Sequence, residues 1–335
     1  MSMQTLEKAA VAEAVMELRV RHVKWEADGV HSLTFVDPSG KDLPAWTPGA
    51  HLEIELPSGL VRQYSLCGNP NDSCRYKVAV LRDPAGRGGS AEIHDTVLTG
   101  RMLKVRGPRN RFELAYASNY VFIAGGIGIT PILAMVQELR DRKPWHLFYG
   151  GRTLESMAFR DELTMLGEKN VTLVPQDTAG ILDLDEAFSR LDESTAIYCC
   201  GPEGLLSAVL AKAEALGVAD QVHFERFGAA PKPQVADASD TPAEASAGGF
   251  EVTLERTGTT IQVAPEESVL EAIRKVRPDM PSSCEEGFCG TCETRVLFGE
   301  IEHRDQILSK AEREANESMF VCVSRAKCPK IVLDL

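Results

Sequence analysis

The sequence of 335 residues is long enough for two or three domains, and its 44% hydrophobic and 25% charged residues make a globular composition with no run near the roughly 20 apolar residues of a membrane span. A formal net charge of −13 argues against nucleic acid, whose phosphates reward clustered Lys and Arg. The alanine-rich start carries Glu7 and Glu13 with neither a basic beginning nor an apolar core, so no signal peptide is expected and a cytoplasmic location is.

Residues 15–117 are rich in short alternating segments, among them Val30–Val36, His51–Leu56 and Arg75–Leu81, broken by Pro and Gly clusters. Period-two alternation of this kind predicts an antiparallel β-barrel or sandwich. Within it, Arg62-Gln-Tyr-Ser-Leu66 sets Tyr64 on a strand, where its ring offers an aromatic face and a hydroxyl to a planar group. Arg62, Ser65, Arg87 and Ser90 could bind phosphate, helped by the amides of Gly88 and Gly89. Taken alone, R-x-Y-S reads better as a surface Arg beside a core Tyr; its standing rises because the rest of the chain offers no other site for a stacked aromatic ring.

From residue 118 to 228 the texture becomes strand, turn and helix in alternation. The expected strands are Tyr120–Ala124, His146–Tyr149, Val171–Val174, Ala196–Cys199 and Val222–Phe224, which implies a parallel, doubly wound sheet. The first strand runs into Gly125-Gly-Ile-Gly-Ile-Thr130-Pro131. Pro131 stands where the last glycine of a G-x-G-x-x-G fingerprint would be. The glycines still allow close backbone approach, Thr130 can cap the next helix, and the helix start offers amides to a pyrophosphate. Cys199-Cys-Gly-Pro202 forms a second turn on the same carboxyl edge. Either motif alone could be turn chemistry; together they point to a nucleotide.

Residues 229–249 contain three prolines and no aromatic, too little apolar surface to offset ordering, and read as a linker. A linker of that length would let the following domain, residues 250–335, move between an inner donor and an outside acceptor. That domain carries Cys284, Cys289 and Cys292 in a C-x4-C-x2-C spacing, with Cys322 about thirty residues later. This is the spacing of plant-type 2Fe–2S centres. Structural zinc is the alternative, but it favours short pairs at both ends, and Cys322 has no such partner. Cys67, Cys74, Cys199, Cys200 and Cys328 form no framework and read as reduced thiols.

Together these motifs resemble the ferredoxin–NADP reductase superfamily and, within it, the reductase components of Rieske-type oxygenases (the phthalate dioxygenase reductase and vanillate demethylase reductase group). The resemblance runs from about Val15 to the end and includes the order flavin barrel, nicotinamide domain, ferredoxin. It implies a multidomain fold: an antiparallel β-barrel flavin domain, an α/β parallel-sheet NAD-binding domain, and a C-terminal α+β plant-type ferredoxin of the β-grasp type. It further implies flavin contacts at Arg62, Tyr64, Ser65 and Val80, and a phosphate site at Arg87, Gly88, Gly89 and Ser90 that favours FMN over FAD. Nicotinamide-nucleotide contacts are implied at Gly126, Gly128, Thr130, Cys200 and Gly201, and Phe227 becomes the aromatic expected near the flavin. Cys284, Cys289, Cys292 and Cys322 become the 2Fe–2S ligands. Arg152, after the second strand of the sheet, could accept a 2′-phosphate, so NADH rather than NADPH rests on the resemblance alone.

No side chain needs to act as an acid or base on this reading, because the cofactors carry the chemistry. The expected protein is a monomer that passes electrons from NADH to a Rieske-type terminal oxygenase; the same internal chain could serve a different monooxygenase. A non-catalytic ferredoxin-like module with a dead flavin domain is the reading from another class.

Overall fold

The computed structural model of the chain describes residues 15–227, 249–282, 284–287, 290–305 and 307–335. They divide into two compact units, one ending at Glu225 and the other beginning at Arg226.

In the first unit, β1 (Met16–Ala27), β2 (Val30–Val36), β3 (Ala50–Glu55), β4 (Val61–Ser65), β5 (Tyr76–Leu81) and β6 (Met102–Asn110) form an antiparallel sheet in the order β4-β3-β6-β1-β2-β5. Just past β4, Leu66 bridges Val78 of β5, so the two edge strands meet and the sheet curls into a barrel. Alternating residues such as Leu18, Val20, Leu33, Phe35, Leu52 and Ile54 point inward and are fully buried. Helix α1 (Gly89–Asp95) adds Ile93 to that core.

The chain then builds a five-stranded parallel sheet from β7 (Asn119–Gly125), β8 (Trp145–Gly151), β9 (Val171–Pro175), β10 (Thr195–Cys200) and β11 (Val222–Glu225), in the order β11-β10-β7-β8-β9. Between the strands run α2 (Ile129–Leu139), α3 (Arg160–Gly167), α4 (Gln176–Ala179), α5 (Leu184–Phe188) and α6 (Glu203–Leu216). β7 and β10 are buried on both faces, hence their near-continuous apolar runs. The chain winds from β7 outward to β9 and then returns to the other side of β7. The strand order therefore reverses between β7 and β10, where open α/β sheets leave a crevice at their carboxyl ends.

The change of architecture near residue 117 is not a break in packing. Ala27, Val30, Cys67, Ala79 and Phe112 of the barrel region belong to the same core as Tyr120, Phe122 and Tyr198 of the parallel sheet. Ala134 of α2 packs into the barrel core instead. That double duty explains why Ile129 to Val136 are all buried, an unusual state for a helix with only one sheet beside it. A polar seam lies alongside: Lys77 of β5 reaches Glu26 at 3.5 Å and Glu162 of α3 at 3.4 Å, and its ammonium sits 4.5 Å from the centre of the Phe159 ring.

The second unit contains β12 (Phe250–Leu254), β13 (Thr259–Val263), α7 (Val269–Arg274), β14 (Glu293–Phe298), β15 (Ile301–Glu302), α8 (Lys310–Ala315), β16 (Ser318–Phe320), β17 (Arg325–Ala326) and β18 (Lys330–Leu333). Its main sheet runs β13-β12-β18-β14-β16, with the first and last strands of the unit parallel neighbours and the other pairs antiparallel; β15 and β17 pair separately. Helix α7 lays Val269, Leu270, Ala272 and Ile273 on the sheet, the β-grasp arrangement. Ser268 starts it with a capping box: its hydroxyl accepts the Glu271 amide at 3.1 Å, and the Glu271 carboxylate accepts the Ser268 amide at 2.8 Å. Among the described residues no helix is long and apolar enough to cross a membrane.

Candidate functional site

At the strand-order reversal, Ala124 of β7 stands level with Cys200 of β10. Beyond them the chain makes a 3₁₀ turn, Gly126–Gly128, into α2 on one side and the Gly201-Pro202 turn into α6 on the other. The two turns touch backbone to backbone. A Cβ on Gly128 would lie 2.2 Å from the Cys200 carbonyl oxygen, and one on Gly201 would lie 2.9 Å from the Gly125 nitrogen. Gly126 differs, with φ of +54° and open space around it. Thr130 does not cap α2. The cap position is Gly128, and Thr130 lies buried in the first turn, donating its hydroxyl to the Ile127 carbonyl at 3.0 Å. No side chain caps α2; the Ile129 amide bonds the Gly126 carbonyl and Pro131 has none, so what this turn offers a ligand is the bare backbone of Gly126–Thr130.

Three side chains from three strands meet beside this edge. Glu225, last in β11, is level with Cys200, and Ser65, last in β4, donates to its carboxylate at 3.4 Å. Desolvation pushes the Glu225 pKa up to about 8, and the Ser65 bond opposes it only partly. Burial, followed by the field of Glu225, pushes the Cys200 thiol well above its ordinary value. At neutral pH the pair is a protonated carboxyl and a neutral thiol. Such groups can donate hydrogen bonds and shape an uncharged wall, but neither is a nucleophile.

On the barrel, Arg62 donates to the carbonyls of Val61 at 2.8 Å and Arg87 at 2.7 Å. Its stem crosses Gly89 so closely that a Cβ there would lie 2.7 Å from Arg62 Cγ. Gly88, at φ +84°, precedes α1, and Ser90 uses its hydroxyl to accept the Asp83 amide at 3.1 Å. Arg87 is exposed. Tyr64 lies on β4, and desolvation raises its phenol, which stays neutral. The Val80 side chain is 1% exposed and belongs to the barrel core, while its carbonyl lies 2.9 Å from the His94 ring nitrogen.

In the second unit Cys284, Cys292 and Cys322 are buried, and the sulfurs of Cys292 and Cys322 are 3.0 Å apart, much too far for a disulfide bond of about 2.05 Å. The Glu286 amide donates to Cys284 Sγ at 3.3 Å. Glu285, Gly287 and Gly290 take φ of 57°, 78° and 79°. A Cβ on Gly287 would lie 2.7 Å from a Val323 methyl and 3.1 Å from Asp305 Cα. Cys289 lies outside the described residues. The adjoining sulfurs of Cys292 and Cys322, and a buried Cys284 sulfur that receives an amide, suit a thiolate-held metal cluster. Cys328 stands apart, its sulfur bonded to the Lys330 carbonyl at 3.1 Å and receiving the Glu300 amide at 3.3 Å.

Comparison with known proteins decides the family. Residues 252–327 match the 2Fe-2S iron-sulfur cluster binding domain, and residues 103–222 match the N-terminal domain of dimethylamine monooxygenase subunit DmmA-like proteins. The chain is 39% identical over 317 residues to the phthalate 4,5-dioxygenase oxygenase reductase subunit of Pseudomonas putida, covering 92% of this chain and 93% of that one. Among solved structures it resembles phthalate dioxygenase reductase, described as a modular structure for electron transfer from pyridine nucleotides to [2Fe-2S], with a TM-score of 0.69 and 36% identity over 96% of this chain and 98% of that one. The chain belongs to the phthalate dioxygenase reductase family. A third likeness, to an intact type IV self-sufficient cytochrome P450 monooxygenase, has a TM-score of 0.84 and 40% identity over 96% of this chain. The chain spans about two-fifths of that longer protein, 41% of its length.

This oxidoreductase brings several of the sequence-predicted residues together. Gly128 meets Cys200 and Gly201 at the sheet edge, with Gly126 and Thr130 in the same turn but not against them, and Arg62 meets Arg87 and Gly89 on the barrel. Ser65 reaches the parallel sheet through Glu225. Arg152 is exposed just past β8, and among the described residues its guanidinium has no partner. Phe227 is 40% exposed, two residues beyond β11. Sequence reasoning missed Glu225. Its one signal was a lone carboxylate at the carboxyl end of a strand in a parallel sheet, where side chains reach the crevice.

Proposed function

We propose that this reductase takes hydride from NADH onto FMN and passes single electrons through its 2Fe–2S domain to a Rieske-type terminal oxygenase, working as a monomer in the cytoplasm. The observation that carries the reading is the joint edge at Gly128 and Cys200, beside which the barrel supplies Ser65. A nucleotide held there lies next to the barrel that would hold the flavin. Once bound, the flavin exchanges the nicotinamide's electron pair for single electrons that a 2Fe–2S cluster can carry.

The chain's own residues bind and orient. Backbone amides of the Gly125–Thr130 turn that leads into α2 would take the pyrophosphate, and the bare glycines would let it approach. The neutral Cys200 and protonated Glu225 would line the nicotinamide's reacting face without adding charge to it. Arg62, Arg87 and the Gly88–Ser90 turn would take the phosphate of FMN, with Tyr64 against the ring and Val80 contributing backbone wall. Cys284, Cys289, Cys292 and Cys322 would hold the cluster.

A second acceptor is favoured by one finding. The likeness to a self-sufficient P450 makes a monooxygenase partner a specific alternative. The purified full chain, mixed with NADH, should show flavin bleaching followed by cluster reduction, and should then support turnover of a Rieske-type oxygenase. Turnover with a P450 but with no Rieske-type oxygenase would replace the proposed partner; absence of flavin bleaching by either nicotinamide cofactor would remove the function altogether.

A further inference from the structure

Among the described residues of the cluster loop, one that is not glycine has a backbone that must be enforced. Glu285 directly follows Cys284 and stands at φ +57°, a region that costs an L-residue on the order of 1 kcal/mol and that glycine takes freely. A closed ring of hydrogen bonds holds it there. Arg274, the last residue of α7, donates from Nη1 to Glu285 Oε1 at 2.8 Å and from Nη2 to the Ser282 hydroxyl. The Ser282 hydroxyl in turn donates to the same Oε1 at 2.8 Å. The ring therefore brackets Cys284 on both sides in the chain. The next amide, that of Glu286, points at Cys284 Sγ.

The anchor of this ring is firm, because α7 is fixed by four buried apolar side chains and a capping box. Its value is not ordinary ion-pair stability. The Arg274 and Glu285 side chains are 37% and 45% exposed, where such pairs contribute little. What the ring does is select a conformation: a left-handed residue turns the following N–H back toward the group before it, as in anion-binding nests.

We propose that Arg274 is a positioning residue for the 2Fe–2S site, which through Ser282 and Glu285 holds the chain left-handed after Cys284 and so keeps the Glu286 amide on the ligand sulfur. This rests on the reading of Cys284 as a cluster ligand. An amide donated to a thiolate disperses negative charge and favours the reduced, more negative state, so its loss lowers the midpoint potential.

The test uses the full chain and measures the midpoint potential by an EPR-monitored titration and the rate of cluster loss to a chelator. Arg274→Met should shift the potential downward and speed cluster loss about fivefold, the factor that follows from about 1 kcal/mol; Arg274→Lys should fall between it and the wild type. Glu285→Gly adopts positive φ unaided, so adding Arg274→Met to it should change neither reading. Should Arg274→Met fail to fold, Ser282→Ala opens the same ring and is expected to act in the same direction, more weakly. Wild-type potential and loss rate in Arg274→Met, or in Ser282→Ala where it takes that variant's place, would overturn the proposal. So would a full Arg274→Met shift on the Glu285→Gly background, which would make the effect direct charge rather than positioning. A wild-type chain with no 2Fe–2S signal would instead refute the ligand reading beneath it, and flavin bleaching by NADH should be unchanged in every variant.

Discussion

The edge at Gly128 and Cys200 and the loop after Cys284 both hold backbone in a demanding geometry, by opposite means. At the edge, glycine is needed for space: the Cys200 carbonyl occupies the position a Gly128 side chain would take. The surrounding strands and α2 are buried, so nothing there can give way. At the cluster loop, positive φ is needed at Glu285, Gly287 and Gly290, and side-chain bonds from α7 hold the non-glycine among them. One site is rigid because a core lies behind it; the other is rigid because a few polar bonds tie it. Substitutions should therefore fail abruptly at the edge and by degrees in the loop.

The largest effect expected is a direct one. Cys292→Ser should bring electron delivery to an external acceptor down to background while NADH still bleaches the flavin; loss of bleaching in a folded protein would reverse the order of electron flow. Next comes a pair of glycines two positions apart in sequence but unlike in surroundings. Gly128→Ala must push the Cys200 turn away and should cost about 3 kcal/mol, seen as lower stability or weaker NADH binding. Gly126→Ala meets only its own positive φ and should cost about 1 kcal/mol. Equal costs would mean the edge is as adaptable as the loop.

Glu225 gives a smaller, pH-dependent effect. Its folded pKa of about 8 stands above the ordinary 4.5, so the folded state holds a proton that the unfolded state releases. Its contribution is fully present below about 4.5 and is lost as pH rises through 8. The first unit's melting temperature, followed by flavin fluorescence, should fall by roughly 10 °C between about pH 5 and pH 9, and Glu225→Gln should lose most of that slope. A slope unchanged in the variant would place the titration elsewhere. The smallest effect concerns Arg152, whose exposed guanidinium should matter only to a phosphate. Arg152→Ala should raise the KM for NADPH about fivefold, worth about 1 kcal/mol, and leave that for NADH unchanged.

Much of this was legible in the chain. Strand periodicity placed β2 at Val30–Val36, and the parallel sheet's strands fell within a residue or two of their expected ends. The cysteine spacing pointed to the 2Fe–2S domain that the comparison then identified. What stayed hidden depended on geometry between distant segments. Thr130 has the chemistry of a cap, yet the 3₁₀ turn moves the helix start back to Gly128 and leaves its hydroxyl inside the first turn. Glu225 looks like any surface acid until β11 places it beside Cys200 and the barrel's Ser65. Arg274 lies ten residues from Cys284 with no motif to join them; only the end of α7 does so.

The shared core of the barrel and the parallel sheet has a bearing on how this protein could be taken apart. A chain cut near residue 117 would leave Phe112 and Tyr198 without the partners that cover them, and Tyr198 would lose the Glu113 carbonyl that accepts its hydroxyl. Among the described residues, the apolar cluster of the second unit is built from Phe250 onward and includes no residue of the first. Barrel and parallel sheet are therefore one engine in two architectures, and whatever this reductase is joined to, that part has to travel whole.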